Sequence, residues 1–182
     1  MEQPCLHKTS TTMTKRIAAL VTDGFDDVEY AKPANAFKKA GHEIVNVGLK
    51  KGKVVIGTKL RIKIDQSVKS VSSADFDALL IPGGYSPDEL RANDDAVRFA
   101  KGFMDHDKPV FAICHGAQIL ITAQALSGRK ATGWKSISQD IKNAGAAYID
   151  KAVVEDRNLV TSRSYPDIPA FIRVALKKLA CD

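Results

Sequence analysis

Short apolar runs alternate with amphipathic stretches along this chain, and the alternation predicts its secondary structure. The apolar runs have the length of buried strands, and the amphipathic stretches place their apolar residues at helical spacing. The predicted strands cover residues 16–22, 43–48, 76–82, 110–113, the region 148–154, and 159–162. The predicted helices cover residues 27–40, 94–106, 116–125, 136–143 and 166–179. This order is typical of an α/β protein with a mainly parallel central sheet.

A basic segment interrupts this pattern after the second strand. Its charged residues are Lys50, Lys51, Lys53, Lys59, Arg61 and Lys63. The whole chain carries 27 basic and 21 acidic residues, a net charge of +6. Single-stranded nucleic acids need aromatic platforms beside such charges, and none accompany them here. Apolar residues alternate with the charges around Gly57 and Thr58, so we predict a solvated β-hairpin and no nucleic-acid partner.

Length and composition favour one soluble domain. The chain has 182 residues, of which 45% are hydrophobic and 26% charged, and no segment approaches the length of a membrane span. We expect a single domain over residues 15–182 and a disordered tail over residues 1–14, with Met13 as an alternative start. The tail lacks the apolar stretch of a secretory signal. The three cysteines show no disulfide-framework spacing, which favours a reducing, cytoplasmic location.

Cys114 is the principal candidate for chemistry. It follows the apolar run 110–113 and precedes His115, Gly116 and a predicted helix, the arrangement of a nucleophile elbow. The helix N-terminus should favour the thiolate, so we expect this thiol to ionise more easily than a free one, and the same N–H groups could bind an oxyanion. The alternative is a buried cysteine at the end of a core strand, but a histidine and a glycine at the corner favour a functional thiol.

Two acidic residues follow other strands whose carboxyl ends should meet Cys114 at one edge of the sheet. Asp26 and Glu29 have the spacing of a capping box, which spacing alone favours for Glu29; alternatively, a protonated Glu29 donates a hydrogen bond to the thiolate. Asp88 lies in a run in which Ser86 fits an N-cap and Glu89 a capping-box acid. Asp88 either complements that helix dipole or orients a histidine.

The glycine pair Gly83 and Gly84 ends the strand predicted over 76–82. The pair either makes a tight turn or completes an oxyanion hole with the N–H of His115. The chain also has four histidines, at no spacing that gathers metal ligands, and it has neither a phosphate-binding loop nor a dinucleotide fingerprint. We therefore predict no metal and no obligatory cofactor.

Several motifs, in this order, resemble the ThiJ/PfpI superfamily and specifically its PfpI branch. The resemblance extends from about residue 16 to residue 179. The motifs are Gly24-Phe-Asp-Asp-Val-Glu-Tyr, Ala78-Leu-Leu-Ile-Pro-Gly-Gly-Tyr-Ser-Pro-Asp, Phe111-Ala-Ile-Cys-His-Gly-Ala-Gln, Asn143-Ala-Gly-Ala and Val160-Thr-Ser-Arg. The resemblance implies a flavodoxin-like three-layer sandwich. It also implies a homodimer or larger homo-oligomer with active sites near the subunit contacts.

The resemblance also implies roles for individual residues. Cys114 matches the family's reactive cysteine, and His115 its adjacent histidine. Glu29 matches the glutamate that hydrogen-bonds the cysteine, so the resemblance favours this role over the capping box that spacing alone favours. Asp88 lies where PfpI-type members carry an acid that approaches a neighbouring subunit's histidine. Gly84 lies in the oxyanion-binding turn.

Trp134 is a further candidate residue of the site, and the chain departs from the family pattern at three places. Trp134 lies where relatives often place a tyrosine that lines the pocket; the alternative is a large core or interface residue. Ala117 replaces a proline usual after Cys-His-Gly, Asp26 replaces a common glutamate, and Ser164-Tyr-Pro-Asp differs from the usual run after Ser-Arg. Asp88 is one methylene shorter than glutamate, so it has less reach toward a histidine in a cysteine–histidine–acid arrangement.

Three functions remain open from the sequence. The favoured one is covalent chemistry of Cys114 on reactive carbonyls, as in glyoxalase-like and deglycase-like members, within a stress-protection role. The second is a PfpI-type peptidase acting on peptides, for which adjacent His115 is a poor partner unless the elbow is strained. The third is a non-enzymatic redox sensor or holdase chaperone, in which an exposed thiolate is oxidised.

Overall fold

A computed structural model describes residues 13–181 and contains a seven-stranded central sheet. Its strands are β1 (Arg16–Leu20), β2 (Glu43–Gly48), β5 (Gln66–Ser67), β6 (Ala78–Ile81), β7 (Val110–Ile113), β10 (Val153–Asp156) and β11 (Leu159–Ser162), in the spatial order β10-β11-β7-β6-β1-β2-β5. Neighbouring strands are parallel except that β10 pairs antiparallel with β11. Two smaller sheets pair β3 (Val54–Ile56) with β4 (Arg61–Lys63) and β8 (Lys130–Ala131) with β9 (Ala147–Tyr148). The predicted hairpin and parallel sheet are therefore present.

Helices cover both faces of the large sheet and make a flavodoxin-like α/β sandwich. They are α1 (Asp27–Lys39), α2 (Ser86–Arg91), α3 (Asp94–Asp105), α4 (Ala117–Thr122), α5 (Ser138–Asn143) and α6 (Ile168–Cys181). Alternate residues of each strand point to opposite faces, which produces two cores. Leu20 packs in the core that contains α3 and α4 residues, whereas Ala19 packs in the core that contains α1 and α6 residues.

Several element boundaries differ from those predicted. The first strand ends at Leu20 rather than at residue 22, and the strand of residues 76–82 is confined to Ala78–Ile81. The elbow helix begins as a 3-10 turn, Cys114–Gly116, and its α-helical part ends at Thr122.

The sequence predicts a tail over residues 1–14 and no segment long enough to span a membrane. Residues 1–12 of the predicted tail lie outside the described residues. Within residues 13–181, no helix combines the length and the apolar character that crossing a membrane requires.

Candidate active site

Cys114 lies at the corner between β7 and the 3-10 turn that leads into α4. All four residues of β7 are buried, whereas Cys114 is half-buried, so the thiol lies at the border of the core. Its φ angle is +60°, in the left-handed region that residues with a Cβ adopt at a cost of about 1–3 kcal/mol. The sharp, strained turn is the geometry that the sequence predicts for a nucleophile elbow.

His115 contacts the thiol despite being adjacent to it in the chain. The Cys114 Sγ and the His115 Nδ1 are 3.4 Å apart, and the His115 Nε2 is 3.2 Å from the Ser136 Oγ. The sequence predicts that adjacent residues point apart unless the elbow is strained, and the positive φ of Cys114 meets that condition. Sequence reasoning missed Ser136, because an exposed serine near a short helix carries no signal for this contact.

Glu29 reaches the site from the first turn of α1. The side chain is 2% exposed, its Oε2 accepts the Gly83 N–H at 2.9 Å, and it hydrogen-bonds the Cys114 side chain. The capping box expected from spacing is wrong. Asp26 does cap α1, accepting the N–H groups of Val28 and Glu29, but the Asp26 N–H donates to the Gly83 carbonyl and not to the Glu29 side chain.

The environment of Glu29 favours its neutral form. Burial raises the pKa of the carboxyl from 4.5 to about 7, the negative charge of Asp26 adds to this rise, and the Gly83 N–H opposes it. A carboxyl with a pKa near neutrality is populated in both protonation states at neutral pH. Glu29 can therefore both give and take a proton beside the thiol.

Cys114 does not ionise more easily than a free thiol, which corrects the sequence prediction. Burial raises the pKa of the Cys114 thiol well above its ordinary value of 9.0, and the adjacent Glu29 carboxyl raises it further. The N–H groups of His115 and Gly84 act in the opposite direction by hydrogen bonding to the sulfur. The prediction counted the helix N-terminus and left out desolvation, which is the larger effect.

The two predicted oxyanion glycines have different roles in the structure. The Gly84 N–H points at the Cys114 sulfur, as the His115 N–H does, so these two donors converge on one point. The Gly83 N–H is taken by Glu29 and is not directed at the sulfur, which corrects its predicted role. Gly83 instead permits close packing, because a Cβ there would lie 2.4 Å from the Glu29 Oε2 and 2.8 Å from the Cys114 Cβ.

Asp88 lies on α2, exposed, and influences His115 at a distance. Burial lowers the pKa of the His115 imidazole, and the charge of Asp88 partly opposes that effect. The N-cap prediction for this helix is wrong, because Tyr85 occupies the N-cap position. Ser86 is fully buried and its hydroxyl accepts the Thr22 N–H, which ties the start of α2 to the end of β1.

Three exposed aromatic residues lie on segments that neighbour the site. Within residues 13–181 they are Tyr85, Trp134 and Tyr165. Tyr85 directly follows Gly84, the Trp134 N–H donates to the Cys114 carbonyl at 3.1 Å, and Tyr165 hydrogen-bonds Asp26. The 42% exposure of Trp134 excludes a core position. Sequence reasoning missed Tyr85 and Tyr165 as residues near the site.

Two surface cavities lie away from this site. One of about 690 Å³ is lined by residues that include Arg91, Gln124 and Asp140, and one of about 430 Å³ by residues that include Asp27 and Leu60. Neither is lined by Cys114. The part of the chain that the structure describes contains no group of three or more His, Cys, Asp or Glu side chains placed to hold a metal ion.

Comparison with known proteins places the fold and the site in context. General stress protein 18 of Bacillus subtilis (strain 168) is 55% identical over 170 residues, and YraA of the same organism, whose name suggests a cysteine protease, is 51% identical over 168 residues. Protein/nucleic acid deglycase 2 of Escherichia coli (strain K12) is 51% identical over 170 residues. Each match covers 92% of this chain and 99% of the relative.

Solved structures and family models agree with these relatives. A two-domain protein from Anabaena variabilis ATCC 29413, with DJ-1/ThiJ/PfpI-like and ferritin-like domains, superposes with a TM-score of 0.89 and is 39% identical. That match covers 91% of this chain and 48% of the two-domain chain, so this chain spans about half of that protein's length. The model of the DJ-1/PfpI family matches residues 15–178, and the chain belongs to that family.

Proposed function

We propose that the chain protects the cytoplasm against reactive carbonyl compounds by covalent chemistry at Cys114, in the manner of a glyoxalase or deglycase. The observation that carries the proposal is the contact of the Cys114 thiol with a carboxyl, Glu29, whose pKa lies near 7. A buried thiol that keeps its proton needs a base beside it at the moment of attack, and Glu29 is that base. The names of a stress protein and a deglycase among the relatives are consistent with this function.

The first step is addition of the thiol to an aldehyde. A bond forms between the Cys114 sulfur and the carbonyl carbon, and the π electron pair moves to the oxygen. Glu29 takes the thiol proton and returns it to that oxygen, giving a neutral hemithioacetal. The N–H groups of His115 and Gly84, which converge at the sulfur, stabilise the negative oxygen while it exists.

The second step converts the adduct of an α-oxoaldehyde. A base removes the proton from the carbon that carries the sulfur, and a proton is added to the neighbouring carbon, which leaves a thioester. His115 is placed for such a transfer because its Nδ1 is 3.4 Å from the sulfur and its lowered pKa keeps the ring neutral at pH 7. Water then hydrolyses the thioester to a 2-hydroxy acid and restores the thiol, so the net reaction adds one water molecule.

A peptidase is the second candidate, and the contact between Cys114 and His115 favours it. In that reaction the thiol attacks a peptide carbonyl, His115 accepts the proton, and Ser136 holds the far side of the imidazole ring at 3.2 Å. Asp88 of a neighbouring subunit is the proposed orienting acid in a homodimer or larger homo-oligomer. The redox-sensor alternative is less favoured, because it needs an exposed thiolate and burial raises the pKa of this thiol.

A paired assay with methylglyoxal tests the proposal. The wild type should consume the carbonyl and release lactate, and Cys114→Ser should lose this turnover. Cys181→Ser is the matched control, because it makes the same change at an exposed cysteine, the last residue of α6, and its turnover should equal that of the wild type. Turnover that persists in Cys114→Ser contradicts the proposal. Cleavage of peptides that depends on Cys114, without lactate formation, supports the peptidase instead.

A further inference from the structure

Tyr165 lies beside the active site on a segment far from it in sequence. It begins the 3-10 turn Tyr165–Asp167, which follows β11, and β11 pairs with the strand that carries Cys114 at its end. The ring is 51% exposed, and its hydroxyl donates a hydrogen bond to the Asp26 Oδ2, across 139 residues of sequence. This bond joins the start of α1 to the segment that precedes α6.

The turn that carries Tyr165 is held in place on both sides. The Arg163 guanidinium binds the Asp167 carboxylate through two hydrogen bonds, of 2.8 and 3.1 Å, and the Asp150 carboxylate through a third, of 2.8 Å. Asp167 is buried, and its N–H donates to the Ser164 carbonyl. A bidentate arginine–carboxylate pair fixes direction as well as distance. The phenol of Tyr165 therefore meets Asp26 from a fixed backbone.

Asp26 connects this phenol to the catalytic carboxyl. Its Oδ1 accepts the N–H groups of Val28 and Glu29 at 2.9 and 3.0 Å, while its Oδ2 accepts the Tyr165 hydroxyl. Both carboxylate oxygens are thus engaged, one toward the backbone of Glu29 and the other toward Tyr165. A hydrogen-bond donor partly neutralises the negative charge of a carboxylate, so that charge acts less strongly on neighbouring groups.

Few groups act on the Glu29 carboxyl. From its own helix segment the charge of Asp26 acts on it, from the turn after β6 the Gly83 N–H, and from the elbow the Cys114 thiol. From the turn before α6, Tyr165 is coupled electrostatically to both Glu29 and Cys114. The hydrogen bond to Asp26 raises the pKa of the Tyr165 hydroxyl, so the phenol remains a donor at neutral pH.

We propose that Tyr165 is a positioning residue that acts through Asp26 to set the pH range in which Glu29 serves as the base for Cys114. This inference rests on the proposed role of Glu29 as that base. By holding part of the charge of Asp26, the phenol limits how strongly Asp26 favours the protonated form of Glu29. Without the phenol, Glu29 keeps its proton to higher pH, so the thiol begins to react only at higher pH.

The experiment titrates the Glu29 carboxyl by NMR in substrate-free protein labelled with ¹³C at glutamate, with Glu29→Gln assigning the signal. Tyr165→Phe keeps the ring and removes the donor, and should move the Glu29 midpoint to higher pH by about half a unit. Asp26→Asn keeps an oxygen for the helix cap and removes the charge, and should move the midpoint to lower pH. The pH at which iodoacetamide alkylates Cys114 should shift in the same direction as the Glu29 midpoint in each variant.

Tyr85→Phe is the matched control. This substitution also removes a tyrosine hydroxyl, from a ring that is 82% exposed. Among the hydrogen bonds of the described residues, the Asp26 side chain accepts the hydroxyl of Tyr165 and not that of Tyr85, so Tyr85→Phe should leave the Glu29 midpoint unchanged. The proposal is overturned when Tyr165→Phe leaves the Glu29 midpoint unchanged or lowers it, or when Asp26→Asn fails to lower it. Because the titration uses no substrate, this result is independent of whether methylglyoxal is turned over.

Discussion

Replacing Glu29 by glutamine should change how the stability of the protein depends on pH. Glu29 is 2% exposed and accepts the Gly83 N–H at 2.9 Å, and glutamine offers an oxygen to the same donor. The substitution therefore removes the titrating group while keeping its size and its hydrogen bond. Whatever part of the pH dependence comes from this carboxyl should disappear in the variant.

The sign and size follow from the pKa of the carboxyl. Glu29 has an ordinary pKa of 4.5 and a value of about 7 in the folded chain, so the folded state binds its proton more tightly than the unfolded state. Its contribution to stability is fully present below pH 4.5 and is lost as the pH rises through about 7. Between about pH 5 and about pH 8 the wild type should lose about 2 to 3 kcal/mol from this group.

Urea denaturation of the wild type and Glu29→Gln at both pH values measures this loss. Glu29→Gln should gain stability relative to the wild type on going from about pH 5 to about pH 8, at equal protein concentration. Glu89→Gln, which makes the same substitution at an exposed position of α2, is the control. If the stability difference between the wild type and Glu29→Gln is the same at both pH values, burial of Glu29 does not raise its pKa and the reasoning fails.

Three further substitutions test how the site and its supports are held. Gly83→Ala places a Cβ 2.4 Å from the Glu29 Oε2 and should cost about 1–3 kcal/mol of unfolding free energy in urea; unchanged stability would contradict this packing. Asp27→Ala removes the carboxylate that accepts the N–H groups of residues 58, 59 and 60, and should speed hydrogen exchange of these amides as followed by NMR. Unchanged exchange rates would show that these hydrogen bonds do not hold the segment. Asn93→Ala removes the N-cap of α3 and should lower stability by about 1 kcal/mol in thermal denaturation, and no loss would argue against the cap.

The sheet and the location of the site are predictable because they depend on local pattern. Apolar strands with helices between them predict parallel pairing, and parallel strands bring their carboxyl ends to one edge. That rule places the ends of β6 and β7 together, and Gly84 and Cys114 do meet there. The predicted boundaries are less accurate, because a strand ends where its partner leaves it, and that depends on residues distant in sequence.

The details of the site depend on contacts that spacing does not reveal. Asp26 and Glu29 fit a capping box, yet Glu29 turns inward because Gly83 offers an N–H and the thiol offers a proton donor. Tyr165 also pairs with Asp26, and no rule of spacing pairs residues that are 139 apart. Long-range pairs of this kind require the folded chain.

The raised pKa values of Cys114 and Glu29 are best understood as one property of a shared site. Burial disfavours a negative charge on either group, and a negative charge on one group disfavours ionisation of the other. The pair therefore retains one proton between them. Oxidation by peroxide also proceeds through the thiolate, and burial disfavours that charge. Addition to a carbonyl creates a new basic oxygen beside the pair, and the retained proton moves to it as the carbon–sulfur bond forms. The same burial that raises the pKa of the thiol therefore keeps beside it the proton that carbonyl addition requires.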